Sequence, residues 1–362
     1  MARRGKQTVG PTPPPEQDPT DLVELRYRET ELKAVLGPKW GERLLGAYRW
    51  MRLGRALDRR MLALQRQGRI GFYGPATGQE AVSVGASLAL AERDWVFPGL
   101  REQLLALARG HSLSAYLHHL FADDRDPARG RQMPCHPTAR EVRYVSMSSV
   151  IGTQISQAVG LAYAQKLRRD VGVTMAFFGD GATSANDFHA GMNLAGALAL
   201  PVVFCLTNNQ WAISVPVERQ THLKILADKA AAYGFTGERV DGTDIVAVYS
   251  ALAAALDKAR KGAGPSLVEC LVFRMTAHSS SDDPTRYQPA DFLARGRARD
   301  PVDRLDRLLR ERGVLTDPIS QRLATEVEEE VRAAVALAES TPSPDPTSLA
   351  TDVFFSPPSG AG

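Results

Sequence analysis

The sequence predicts an α/β fold: a doubly wound, mainly parallel sheet flanked by helices, with helical additions at the N- and C-terminal sides. Three observations predict it. Between residues 171 and 273, short apolar runs take turns with stretches of helical period, the order that parallel strands joined by helical crossovers require. The apolar runs show no polar alternation, as expected of strands covered on both faces. They end in polar steps rich in glycine, asparagine or aspartate, where an open parallel sheet places its ligands.

Before the sheet, residues 40–67 read as a helix, with Leu44, Leu45, Tyr48, Met51, Leu57, Met61 and Leu64 at helical spacing. Residues 78–92 read as a second, rich in Ala and Leu. Val171–Phe178 then reads as a strand, Asn186–Leu198 as a helix and Pro201–Leu206 as a strand. His222–Tyr233 reads as a helix, Phe235–Val240 as a weak strand, Asp244–Lys261 as a helix begun by Asp244, and Ser266–Phe273 as a strand. Helices over 300–312 and 317–339 close the fold.

Length and composition set the frame. The 362 residues suit about two domains or one large one, and we divide them into a tail over 1–20, one α/β domain over 21–340 and an extended tail over 341–362. Both tails are Pro-rich and bury too little apolar surface to offset their ordering entropy; Val353-Phe354-Phe355 is the one docking element in the second. With 44 Lys and Arg against 41 Asp and Glu, the net charge is +3, which argues against a nucleic-acid binder. Cys135, Cys205 and Cys270 form neither a disulfide framework nor a zinc pattern, which points to a reducing, cytoplasmic compartment. No apolar run reaches the ~18–20 residues of a membrane helix. The basic start is followed by Pro11, Pro13, Pro14 and Pro15 where a signal peptide needs apolar residues.

The chemistry concentrates in three strand ends: Gly179-Asp180-Gly181, Asn208-Asn209, and the segment from Ala277 through His278 and Ser279 to Asp283. Flanking glycines let backbone approach a ligand, and the following helix turns its N-terminus toward an anion. An aspartate there repels phosphate unless a cation stands between. Mg²⁺ takes carboxylate, amide and phosphate oxygens together, and Asn209, one crossover later, supplies the amide. The dinucleotide fingerprint G-x-G-x-x-G, the G-x-x-x-x-G-K-[ST] loop and H-E-x-x-H are all missing, which counts against a nicotinamide-dependent oxidoreductase. His118 and His119 are adjacent on a helix and make a poor metal pair; Cys135-His136 has no second pair; His189 and His222 read as partnerless helical residues. Arg101 reads, by itself, as a solvated helical residue.

The run from Phe178 to Ser184, together with that from Asn208 to Ser214, resembles the thiamine-diphosphate motif of 2-oxo acid dehydrogenases. The likeness is to the alpha subunits of the branched-chain complex's decarboxylating component. It extends over roughly residues 40–340 and includes Gly130 to His136, Ser148-Ser149 with Thr153-Gln154, and Ala277 to Tyr287. The resemblance implies that Asp180, the Asn209 side chain and the Trp211 carbonyl bind Mg²⁺. Gly179, Gly181 and Ala182 would line the diphosphate of thiamine diphosphate and Arg101 would grip it. Ser149, Ile151 and Ile213 would contact the rest of the cofactor. Ser148, Thr153 and Gln154 match a potassium (K⁺) site, Leu100 a substrate-pocket position and His278 the active-site histidine. Ser279 matches a serine phosphorylated in some relatives; read by itself it is a solvated loop serine. Thr207, Trp211, Ala185-Asn186 and Leu100 depart from the family's usual residues.

The implied activity is oxidative decarboxylation of a branched-chain 2-oxo acid, with acyl transfer to a lipoyl group. The implied partners are a beta subunit in an α₂β₂ tetramer, and the lipoyl and peripheral-subunit-binding domains of the acyltransferase. The beta subunit would supply the glutamate that activates the cofactor, for which this sequence offers no candidate. The alternatives are a pyruvate or acetoin dehydrogenase alpha subunit, or a non-catalytic interaction subunit on the same fold. No nucleic-acid or membrane partner is expected.

Overall fold

A computed structural model describes residues 24–351. The chain opens with α1 (Glu29–Leu36), α2 (Trp40–Arg66) and α3 (Glu80–Ala89). It enters the sheet at β1 (Trp95–Phe97), then forms α4 (Gln103–Ala108), α5 (Leu113–Phe121) and α6 (Thr153–Arg168). Next come β2 (Thr174–Gly179), α7 (Asn186–Ala197), β3 (Val202–Asn208) and a small antiparallel pair, β4 (Trp211–Ala212) with β5 (Val215–Pro216). β6 (Thr236–Asp241), α8 (Ile245–Arg260) and β7 (Ser266–Leu271) complete the sheet, and α9 (Ala290–Ala298), α10 (Pro301–Glu311) and α11 (Asp317–Ser340) follow.

The five-stranded sheet has the order β1-β2-β3-β7-β6 and is parallel throughout. The central strands β2 and β3 carry apolar residues on successive positions because both faces are covered, whereas the edge strand β6 is mostly polar and exposed. Phe178, Phe204 and Leu206 pack with Ile155 of α6 and Phe188 of α7. Phe177, Val203 and Cys205 point the other way, onto Val82 of α3 and Val248 and Leu252 of α8. Period two in side-chain direction with two apolar layers yields an unbroken apolar run. α8 starts where expected: the Asp244 carboxylate accepts from the N–H groups of Val246 and Ala247 at 2.9 and 3.1 Å. Trp40, Leu44 and Met51 of α2 pack with Leu305 and Leu308 of α10, and a neighbouring cluster joins α2 and α5 to α11.

Three expectations need correction. His222–Tyr233 is not one helix: only Leu226–Tyr233 is helical, in the 3₁₀ form, and His222 lies in the loop before it. Gly234, in the left-handed region, closes that turn. The start of the C-terminal tail is structured: Pro346–Ala350 forms a 3₁₀ turn, and Arg131 donates to the Thr351 carbonyl at 3.3 Å. β1 and the β4–β5 pair went unread, because two- and three-residue strands carry no periodic signal. The tail over 1–20 and Val353-Phe354-Phe355 lie outside the described residues. No helix among the described residues is long and apolar enough to cross a membrane.

Candidate functional site

A cavity of about 450 Å³ opens beyond the carboxyl ends of β1, β2, β3 and β7. The expected residues converge on it from separate elements. The exit of β1 contributes Leu100 and Arg101, and the loop before α6 contributes Ser148, Ser149 and Ile151, followed by Gln154. The exit of β2 contributes Gly179, Asp180, Gly181 and Ala182. Asn209, Trp211 and Ile213 come from the exit of β3, and His278 from the loop after β7. Thr153 alone of the expected set stands outside the wall.

Asp180 is 1% exposed, and burial raises its carboxyl above the usual range. Oδ2 accepts from Gln220 Nε2 at 2.9 Å, while Oδ1 is buried with no partner. The segment that follows is first a 3₁₀ turn, Asp180–Ser184, and α7 begins only at Asn186, so the glycine step does not open directly into a helix. Gly181 is required by contact: a Cβ there would stand 2.7 Å from the Ala212 Cβ. Across the β2–β3 ladder Gly179 pairs with Thr207, whose buried hydroxyl also has no partner. Asn209 is buried, and its Oδ1 accepts the Trp211 N–H at 3.2 Å. The Trp211 carbonyl accepts a long bond, 3.4 Å, from Arg274. Among the described residues no three His, Cys, Asp or Glu side chains gather as a metal cluster; the expected Mg²⁺ donors include one carboxylate.

Arg101 is not a solvated helical residue. It precedes α4, is 6% exposed, and donates to the carbonyl of Pro75 and, at 2.8 Å, to that of His278. The same guanidinium lies 3.2 Å from His278 Nδ1. A guanidinium can only donate, so Nδ1 is an acceptor and neutral His278 carries its proton on Nε2. Burial, then the positive charges of Arg101 and Arg274, push the imidazole pKa down to about 4. Arg274, fully buried, ties this loop to the β3 exit by donating to the Ile213 carbonyl and the Tyr287 hydroxyl, both at 2.7 Å. Tyr287 in turn donates to Asp282, which accepts the His278 N–H at 2.7 Å. Ser279 is buried, 6% exposed, with its hydroxyl 3.2 Å from that of Ser281, and is not the solvated serine expected.

Five of the other histidines have side-chain partners, His111 among them through Glu141 at 2.6 Å. His118 meets Asp123 at 2.6 Å and His119 meets Asp126 at 3.2 Å; His136 pairs with Ser149. His189 is not partnerless, since its Nδ1 lies 2.5 Å from the Tyr233 hydroxyl. Cys135, Cys205 and Cys270 are buried free thiols.

Sequence reading missed Phe72, Gln79, Glu102 and Met147 as members of the wall. None sits at the end of an apolar run in a way that would mark it. Glu102 is buried, and burial pushes its carboxyl pKa up to about 7; it accepts the Arg101 N–H at 3.2 Å.

A buried carboxylate, a neighbouring amide and a forked cation thus stand together at parallel strand ends, where open parallel sheets place their ligands. Residues 48–347 match the family described as the dehydrogenase E1 component, and the chain belongs to that oxidoreductase family. Among its relatives, the alpha subunit of 2-oxoisovalerate dehydrogenase from Bacillus subtilis (strain 168) is 38% identical over 309 residues, covering 85% of this chain and 94% of that one. The mitochondrial 2-oxoisovalerate dehydrogenase subunit alpha 2 of Arabidopsis thaliana is 37% identical over 304 residues, 84% of this chain and 64% of its own. The pyruvate dehydrogenase E1 component subunit alpha of Bacillus cereus is 39% identical over 298 residues, 82% of this chain and 77% of its own. The resemblance to 2-oxo acid dehydrogenase alpha subunits therefore holds, for the branched-chain and the pyruvate types alike.

Proposed function

We propose that this chain is the alpha half of an E1 enzyme that binds thiamine diphosphate through Mg²⁺ and decarboxylates a branched-chain 2-oxo acid. The acyl group would pass to the lipoyl group of a partner acyltransferase. One observation carries this reading: the Asp180 carboxylate is buried with one oxygen unpartnered, at a glycine-flanked strand end beside Asn209. Burying an unpaired carboxylate costs several kcal/mol of solvation, on the order that a bound cation offsets.

Asp180, the Asn209 amide oxygen and the Trp211 carbonyl are the hard oxygen donors that Mg²⁺ takes. The backbone of Gly179, Gly181 and Ala182 would lie along the diphosphate, and Arg101 would meet it with a planar fork. When bound, the thiazolium ring supplies the electron sink that loss of CO₂ requires. His278 is held neutral, so its Nε2–H can donate to a substrate oxygen and recover the proton. Leu100 and Phe72 give the pocket an apolar wall suited to a branched acyl chain. Gln154 Oε1 is buried without a partner, which keeps Ser148, Thr153 and Gln154 as a candidate K⁺ set.

A beta subunit completes the reading. Ile151 and Ile213 line the cavity yet are 62% and 54% exposed, and Val150 beside them is 66% exposed. Such an apolar rim suits a protein partner. Of the wall's own carboxylates, Asp180 is taken by the Mg²⁺ role and Glu102 accepts from its own turn, so the carboxylate that activates the cofactor would come from the partner, in an α₂β₂ assembly. The lipoyl and peripheral-subunit-binding domains of the acyltransferase are the next partners, in a cytoplasmic complex.

The test is to assemble the chain with its beta subunit, thiamine diphosphate and Mg²⁺, and to compare kcat/KM for 3-methyl-2-oxobutanoate and pyruvate. A ratio above one in favour of the branched acid supports the reading. A ratio below one favours pyruvate, the second reading, which the Bacillus cereus relative also motivates. Turnover by the lone chain would refute the shared site.

A further inference from the structure

Gln79 is among the side chains of the cavity wall that neither the motif nor the proposed metal site uses. Gln79 is 3% exposed and lines the cavity. Its Nε2 is buried with no hydrogen-bond partner. It occupies the N-cap position of α3 and makes no capping bond. The backbone there is fixed on both sides. The Gln79 N–H donates to the Ala76 carbonyl at 2.9 Å. Gly78 sits at φ +96°, where a Cβ would stand 2.3 Å from the Phe273 carbonyl oxygen. Thr77 and Ala76 are anchored in turn on Asp58, at 2.6 and 2.9 Å. On this fixed backbone the chain presents an amide whose Nε2 is unpaired, in the same wall as Arg101 and His278.

An unsatisfied buried amide is a net cost to the folded chain, and such costs concentrate where a ligand makes the missing bond. Arg101 stands in the same wall, and an amide Nε2–H can only donate, so the complementary group is an acceptor oxygen of a bound anion. We propose that Gln79 is a further ligand-binding residue, whose side-chain amide donates to an oxyanion of the molecule bound in this cavity. The inference rests on the reading above, which offers two sources of that chemistry: the diphosphate of the cofactor and the carboxylate of the 2-oxo acid. A neutral donor suits either. It orients a carboxylate without the charge pairing that would stabilise the ground state against loss of CO₂.

The test uses the chain assembled with its beta subunit, as wild type, Gln79→Met (similar in size, without a donor) and Gln79→Glu. Three quantities are read: the Kd of thiamine diphosphate at fixed Mg²⁺, the KM for 3-methyl-2-oxobutanoate at saturating cofactor, and the Tm of the ligand-free chain. Gln79→Met is expected to raise either Kd or KM about five- to tenfold, the loss of one uncharged hydrogen bond. Its Tm should be equal to or above that of wild type. Gln79→Glu should lose more, by repulsion. A shift in Kd assigns the diphosphate, and a shift in KM the carboxylate. Unchanged Kd and KM, with or without a lowered Tm, would make Gln79 a structural residue and overturn the proposal while leaving the enzyme reading intact. Should wild type bind no cofactor, that reading fails, and titration of inorganic pyrophosphate into wild type and Gln79→Met decides the inference alone: weaker binding by the variant supports it, equal binding ends it.

Discussion

The exits of β2 and β3 and the loops around them form one wall of the cavity; the β1 exit with the 73–79 loop forms another. The first wall displays its chemistry as local motif, Asp180 between two glycines and Asn209 after an apolar run. The second hides it: Arg101 and Gln79 stand in segments that read as ordinary helix, and their burial depends on Pro75, Asp58 and His278, far away in sequence. A ligand site can therefore be half motif and half packing, and only the motif half is visible in a linear chain.

The comparison can be broken most sharply at the motif wall. Asp180→Ala should lower kcat/KM of the assembled enzyme by at least about a hundredfold, roughly 3 kcal/mol, while raising the Tm of the ligand-free chain by removing an unpaired buried carboxylate. Unchanged turnover would make this wall a plain turn and revive the non-catalytic reading. On the packing wall, Gly78→Ala forces a side chain into a left-handed backbone against Phe273, and should destabilise the chain by about 3 kcal/mol or more, read by urea unfolding. A mild effect there would mean that the second wall is adaptable.

The electrostatics of the packing wall give two smaller effects. In the ligand-free chain His278 should titrate near pH 4 by NMR, and Arg101→Gln should move it up only part of the way toward the ordinary 6.5, because burial is the larger cause. Because the folded-state pKa lies below the unfolded one, this histidine makes stability fall as pH drops from 6.5 toward 4. A titration near 6.5 in wild type would show that neither burial nor the Arg101 charge depresses it. Glu102 has the opposite sign. Its folded pKa of about 7 lies above the ordinary 4.5, so its contribution is fully present below 4.5 and lost as pH rises through 7. Glu102→Gln should therefore raise Tm at pH 8 more than at pH 5; equal shifts at both would contradict the buried, proton-sensitive carboxyl. The smallest effect belongs to the exposed pair Lys261–Asp257, 2.6 Å apart, whose removal should change stability by less than about 1 kcal/mol.

The sequence by itself determined the parallel sheet, its crossovers, the Asp244 helix start and the Asp180–Asn209 pair. Each is a local pattern: apolar runs of strand length, helical period, glycine beside a polar group, all set by backbone sterics and by which faces must be covered. Tertiary structure alone decided the 3₁₀ form of Leu226–Tyr233, the short strand β1, the burial of Ser279, and the burial of Arg101 and Gln79 in one wall with His278. Those outcomes depend on side chains from distant segments excluding water from one another, and desolvation belongs to the packed assembly of residues rather than to any one position in the chain.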